Sequence, residues 1–104
     1  MNLEFLTPDE LKKIEKTADL FKALGHPYKF RIFKYLCDCG CKKMRVKDIY
    51  ESLGIYQSTA SRHLNGLKKH ELLNRTVEKG IVYYQPNIEN KLVNCISQCV
   101  IKIK

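Results

Sequence analysis

The 104 residues suit one domain, which ordinarily takes roughly 100 to 200 residues, and the 44% apolar content can close a core without disulfide staples. No stretch offers the ~20 consecutive apolar residues of a membrane span, and little chain remains to enclose a substrate between lobes, which argues against a membrane protein and a large enzyme. Nineteen Lys and Arg against eleven Asp and Glu leave a net charge of +8 and a pI near 9.3, a balance that favours nucleic acid or an anionic membrane surface as partner.

The opening Met1-Asn2-Leu3-Glu4-Phe5 lacks the basic and apolar regions of a secretory signal, so a cytoplasmic location with reduced thiols is expected. Thr7-Pro8-Asp9-Glu10 reads as a capping box that starts a helix over about 8–24, with Pro8 in its first turn. Along it Leu11, Ile14, Ala18, Phe21 and Leu24 recur at three- and four-residue spacing, and Gly25 is expected to supply a left-handed stop. Pro27 opens a second helix whose Tyr28, Ile32, Phe33 and Leu36 are expected to share a face, ending where Cys37-Asp38-Cys39-Gly40-Cys41 breaks the pattern.

Val46, Ile49, Tyr50 and Leu53 make a short amphipathic helix stopped by Gly54, and another helix follows almost at once. In that helix the 3.6-residue period turns Ala60, Leu64 and Leu67 inward and Ser58, Ser61, Arg62 and Asn65 outward. Two helices joined by a short Gly-containing turn are a helix-turn-helix candidate, over about 46–70. Leu73 to Glu78, a Lys79-Gly80 tip and Ile81 to Gln85 before Pro86 read as a hairpin, a wing over about 73–86.

Asn87 is the expected cap of a last helix over about 87–102, whose Ile88, Leu92, Cys95, Ile96, Cys99, Val100 and Ile103 form a face too wide for one small core. With the stripe of the first helix it implies a homodimer joined by the terminal helices. The expected architecture is therefore mainly α with a small β-hairpin, one winged helix-turn-helix domain over residues 1–104 that dimerises through its N- and C-terminal helices.

Residues 55–86 carry Arg62, Lys68, Lys69, Arg75 and Lys79 against Glu71 and Glu78, a net +3. Such cations would supply phosphate contacts, while base choice needs side chains that reach donor and acceptor edges in the major groove. Gln57, Ser58, Thr59, Ser61 and Arg62 offer them, Gln suiting adenine and Arg guanine. Lys68 and Lys79 join them as DNA-binding candidates, and so does His63, for which packing at the helix edge is the competing role. The competing view of the whole stretch is a solvated surface whose charges serve solubility.

Ala18-Asp19-Leu20-Phe21-Lys22-Ala23-Leu24-Gly25-His26-Pro27, followed by Tyr28 to Leu36, resembles the opening of ArsR-type winged-helix repressors. Gln57-Ser58-Thr59-Ala60-Ser61-Arg62-His63-Leu64 is similar to their recognition helix, and Lys79-Gly80-Ile81-Val82-Tyr83-Tyr84 to their wing, so the likeness covers about residues 10–95. It implies a dimeric transcriptional repressor on double-stranded DNA, released from an inverted-repeat operator by an inducer that is often a thiophilic metal ion. Tyr56 stands where members commonly place a capping Ser. The family's Cys-x-Cys pair before Asp48-Ile49 is missing, that place reading Arg45-Val46-Lys47. Its Asp and His ligands on the last helix are replaced by Ile88 and Asn90.

Two thiol groups remain as candidates, Cys37, Cys39 and Cys41 in a turn and Cys95 with Cys99 one helical turn apart. Thiolates suit arsenite, cadmium, zinc or copper(I), and Lys42, Lys43 and Arg45 nearby would be expected to lower thiol pKa values. Three thiols could satisfy arsenite, whereas tetrahedral zinc would need a fourth ligand. Packing at the dimer face is the competing role for Cys95 and Cys99. A thiol-redox or persulfide switch joining Cys37 to Cys95 or Cys99 is the rival mechanism, suggested by the resemblance, and a winged-helix protein-interaction module is the rival function. The three His, His26, His63 and His70, form no catalytic spacing, so a non-enzyme is expected.

Overall fold

The computed structural model describes residues 7–101, with side chains through residue 99. Met1 to Phe5, the side chain of Val100, and residues 102 and 103 of the expected last helix lie outside that description. In chain order the elements are α1 (Pro8–Leu24), α2 (Pro27–Asp38), β1 (Met44–Arg45), α3 (Val46–Leu53), α4 (Gln57–Lys69), β2 (Leu73–Glu78), β3 (Ile81–Pro86) and α5 (Lys91–Ile101). The strands make an antiparallel sheet in the order β1-β3-β2.

Thr7 caps α1 as its sequence suggests: its hydroxyl accepts from Glu10 N while Glu10 accepts from Thr7 N, both at 3.2 Å, so two otherwise orphaned amides are satisfied reciprocally. Gly25 departs from expectation. Its φ is −70°, in the right-handed region, because the reversal into α2 is made instead by extended His26, the N-cap, and by Pro27. Only Leu20, Ala23 and Leu24 of α1 enter the core, while Ile14, Ala18 and Phe21 of the expected stripe face outward and Leu11 is half-buried. Tyr28 likewise lies outside the core face of α2, which consists of Ile32, Phe33, Leu36 and Cys37.

Those residues meet Ile49, Ala60, Leu64, Leu67, Leu72, Leu73, Tyr84 and Val93 in one cluster. The helix-turn-helix therefore sits on α2. Gly54 takes φ 66°, which an L-residue adopts only with strain, and lets Ile55 N donate to Tyr50 O at 3.1 Å. Arg31 of α2 closes the end of α3 by donating to Leu53 O at 2.9 Å.

In the wing, Leu73 to Glu78 pair with Pro86 to Ile81 in unbroken register. Lys79 and Gly80 at the tip both have positive φ, 52° and 78°, as a two-residue hairpin turn requires. Strand β1 escapes sequence reading because it is only two residues long, Met44 and Arg45 pairing with Tyr84 and Tyr83. The cap of α5 also differs. Asn90 Oδ1 accepts from Leu92 N at 3.0 Å, whereas Asn87 Nδ2 donates to Glu71 O at 3.1 Å, so α5 begins at Lys91 rather than 87. Val93 and Ser97 are its buried residues, Leu92 and Ile96 are half-buried, and Ile88, Cys95 and Cys99 are exposed.

Candidate nucleic-acid interface

Helix α4 is seated by Ala60, Leu64 and Leu67, each fully buried. Because successive residues turn by about 100°, this seating sends Gln57, Ser58, Ser61, Arg62 and Asn65 to the surface, with Thr59 half-buried. Tyr56 occupies the N-cap with an exposed ring and no side-chain cap, so the first amides of α4 stay available to solvent or an anion. Lys68 and Lys79 are exposed too. Among the described residues none of Arg62, Lys68 and Lys79 is held in an ion pair.

His63 does not project with this set. It is 6% exposed, lying parallel to the Tyr28 ring at 5.6 Å and 4.7 Å from that of His26, so packing wins over DNA contact. Sequence reasoning also passed over Lys47, which joins Arg45, Gln57, Ser61, Arg75 and the wing residues Gly80 to Val82 around an open cleft of about 490 Å3. The signal for Lys47 was its place in the first turn of α3, opposite the buried Ile49.

Other cations are already engaged. Arg45 holds Asp48 through two bonds of 3.1 Å, and this pairing keeps the Asp48 carboxyl below its ordinary pKa. Lys43 meets Glu78 at 2.6 Å and lies 5.0 Å over the Tyr83 ring. Both contacts brace the wing against the segment leading into α3.

The cysteines are not arranged as expected. Cys37 is 1% exposed within the core, and burial, reinforced by neighbouring Cys41, pushes its thiol up to about 12. Lys34 offsets this rise only in part, and of the cations expected to act there Lys43 and Arg45 are committed to Glu78 and Asp48. Cys39 and Cys41 are half-buried and Cys95 and Cys99 exposed. Cys95 and Cys99 sit away from the Val93 and Ser97 face that α5 turns inward, whereas Cys37 lies within the core. Among the described residues no three His, Cys, Asp or Glu side chains are arranged to hold a metal.

A helix pair with a Gly turn, a polar outer face on the second helix and a braced basic hairpin beside it define a winged helix-turn-helix, a class of DNA-binding domain. The model of the bacterial regulatory protein arsR family matches residues 26–75. An uncharacterised HTH-type transcriptional regulator of Methanocaldococcus jannaschii is 44% identical over 59 residues, which span 57% of this chain and 64% of that relative. The transcriptional repressor PagR of Bacillus anthracis superposes with a TM-score of 0.75 at 30% identity, over 88% of this chain and 99% of PagR. A homodimeric winged helix-turn-helix domain of Mycobacterium bovis shares the fold, with a TM-score of 0.77 at 22% identity, over 92% of this chain and 84% of that one.

The chain belongs to the ArsR family. That family and these neighbours are transcription regulators rather than enzymes. No helix of the described residues is long and apolar enough to cross a membrane.

Proposed function

We propose that the chain is a single-domain, cytoplasmic transcriptional repressor that binds an inverted-repeat operator as a homodimer, with α4 in the major groove and the wing beside it. The observation that carries this reading is the joint exposure of Ser58, Ser61 and Arg62 on a helix whose opposite face is fully buried. Gln57, Thr59, Lys68 and Lys79 complete the contact set, and Lys47 and Arg75 in the cleft supply further phosphate contacts. Two copies related by a two-fold axis would place their recognition helices about 34 Å apart, so half-sites should be centred one helical turn apart.

Selection of binding fragments from a random duplex library tests this. The expected outcome is an inverted repeat whose affinity falls steeply with salt. Arg62→Ala should cost about 1–3 kcal/mol and relax the sequence preference, while Lys79→Ala should reduce the salt slope by about one. A selection that returns no common sequence overturns the reading.

Release is read at thiols, and of the two chemistries considered, oxidation is favoured over ligation of a soft ion. A soft ion would need three or four ligands, and no such group is assembled among the described residues. A disulfide needs one partner, and half-buried Cys41, the thiol an oxidant reaches first, lies beside Cys37 just after α2. A peroxide would take two electrons from the Cys37 and Cys41 thiols, which lose two protons as their sulfurs bond, and would itself become water and a hydroxyl compound. Strand β1 and α3 follow that turn directly, which links the thiols to the DNA face. Operator affinity should fall with peroxide, recover with dithiothreitol and stay unchanged in Cys41→Ser. Loss of affinity on adding arsenite, cadmium, zinc or copper(I) under reducing conditions would instead restore the metal reading.

A further inference from the structure

We propose that the uncharged His63 ring, clasped by His26 and Tyr28, is a positioning residue for the recognition helix and makes DNA binding sensitive to acid. The inference rests on the DNA-binding role of α4 and adds a form of regulation to it.

His63 is the point where α4 crosses the N-terminal end of α2. Its ring lies 7° from parallel to that of Tyr28 at 5.6 Å, and the His26 ring is 4.7 Å away. His26 is itself fixed, because as N-cap of α2 its Nδ1 accepts from Tyr28 N at 3.2 Å. One turn beyond His63, Lys29 lies so close over Gly66 that a Cβ there would stand 3.0 Å from Lys29 Cε. Helix α4 is thus held in rotation by a ring on one turn and by a glycine on the next. That rotation presents Ser58, Ser61 and Arg62 outward.

The clasp admits a neutral ring only. His63 Nδ1 is buried and has no hydrogen-bond partner, so a proton placed there would have no acceptor. Burial first, and then the basic groups around the ring, His26 and Lys29 from the start of α2 and Arg62 from α4 itself, keep its pKa below the ordinary 6.5. From α1, Asp19 and Lys22 reach the neighbouring groove with His26, Lys29 and His70; their opposite charges offset one another. Asp48 of α3 is committed to Arg45, and from the turn into β2, Glu71 is committed to Lys16.

The sign follows from linkage. A base whose pKa is depressed in the clasped state binds more protons once released, so the clasped state loses ground as the pH falls below about 6.5. By about pH 5.5 the released ring is mostly protonated, which weakens the binding-competent arrangement by up to about tenfold. Simple electrostatics predicts the reverse, since histidines that gain charge strengthen attraction to phosphate.

The experiment measures operator affinity by fluorescence anisotropy at constant salt between about pH 8 and pH 5.5 for the full chain, His63→Phe and His70→Gln. The expected result is a loss of affinity on acidification, bounded at about tenfold and smaller the more the clasped state predominates at about pH 8, for wild type and His70→Gln, and a flat or rising profile for His63→Phe, whose ring stacks without titrating. Unchanged or rising wild-type affinity, or an equal loss in His63→Phe, overturns the proposal. Should His63→Phe fold poorly, an NMR titration of the wild-type imidazole decides: His63 should titrate below about 6.5, and a midpoint at or above it overturns the clasp. Absence of specific binding at about pH 8 would refute the operator reading, while the NMR midpoint would still judge the clasp.

Discussion

Cys37 shows how a single position can change its chemistry when the helix before it runs one turn further. Read as part of Cys37-Asp38-Cys39-Gly40-Cys41 it belongs to an exposed thiol turn, but α2 extends to Asp38, and four residues after Phe33 the chain returns to the core face. The spacing from Phe33 was legible in the sequence; the cluster of like residues obscured it. Since the thiolate is the nucleophile, iodoacetamide at neutral pH should leave Cys37 unmodified in the folded protein and label it after denaturation, a difference that peptide mass mapping reads directly. The thiol ordinarily ionises at 9.0 and is held up to about 12 here. The folded state therefore keeps its proton longer than the unfolded state, and stability should decline as the pH rises past 9.0. Cys37→Ser, which buries a hydroxyl in place of the thiol, should lower unfolding free energy by about 1–3 kcal/mol.

At the scale of elements, the turn between α3 and α4 depends on Gly54 at φ 66°, where nothing lies within 4 Å of an added Cβ. Gly54→Ala meets no steric neighbour, so its cost is that of the left-handed backbone, about 1–2 kcal/mol, to be measured by urea denaturation with an unchanged m-value. The sequence made this turn readable because a glycine that ends one helix with the next helix two residues away leaves little choice of conformation. Helices α1, α2 and α4 and the wing were equally readable, from a capping box, Pro27, a period of 3.6 residues and Lys79-Gly80. What could not be read depended on tertiary pairing. Met44 and Arg45 become a strand because β3 passes beside them. Asn87 leaves the cap of α5 to Asn90 because both amides are drawn to the carbonyl of Glu71, itself in the left-handed region at φ 61°. Within the candidate site, the outward set on α4 followed from periodicity, but the burial of His63 required knowing that α2 crosses α4 at that turn.

For the whole molecule, the question is what covers the apolar surface that a single chain leaves exposed. Ile14 is 45%, Phe21 52% and Ile88 50% exposed, and Cys95 and Cys99 are exposed on α5. The stripe on α1 was legible as apolar, but its partner was not, since a three- and four-residue period marks a face without saying which neighbour meets it. The two faces of α1 differ: Leu20, Ala23 and Leu24 face inward, while Ile14, Ala18 and Phe21 border a groove of about 380 Å3. Covering these faces with a second copy would also set the distance between the two recognition helices, so dimerisation and operator binding should fail together. Paired Ile14→Asp and Phe21→Asp substitutions place charge on the outer stripe and leave the inward residues untouched. They should give a monomer by sedimentation equilibrium with its helical circular dichroism retained. Each half-site would then be bound without the linked second contact, so operator affinity should fall by about 10²- to 10⁴-fold. A variant that becomes monomeric yet binds the full operator as wild type does would separate the two roles of the terminal helices, and a wild-type chain that sediments as a monomer at micromolar concentration would leave the exposed stripe without its second copy.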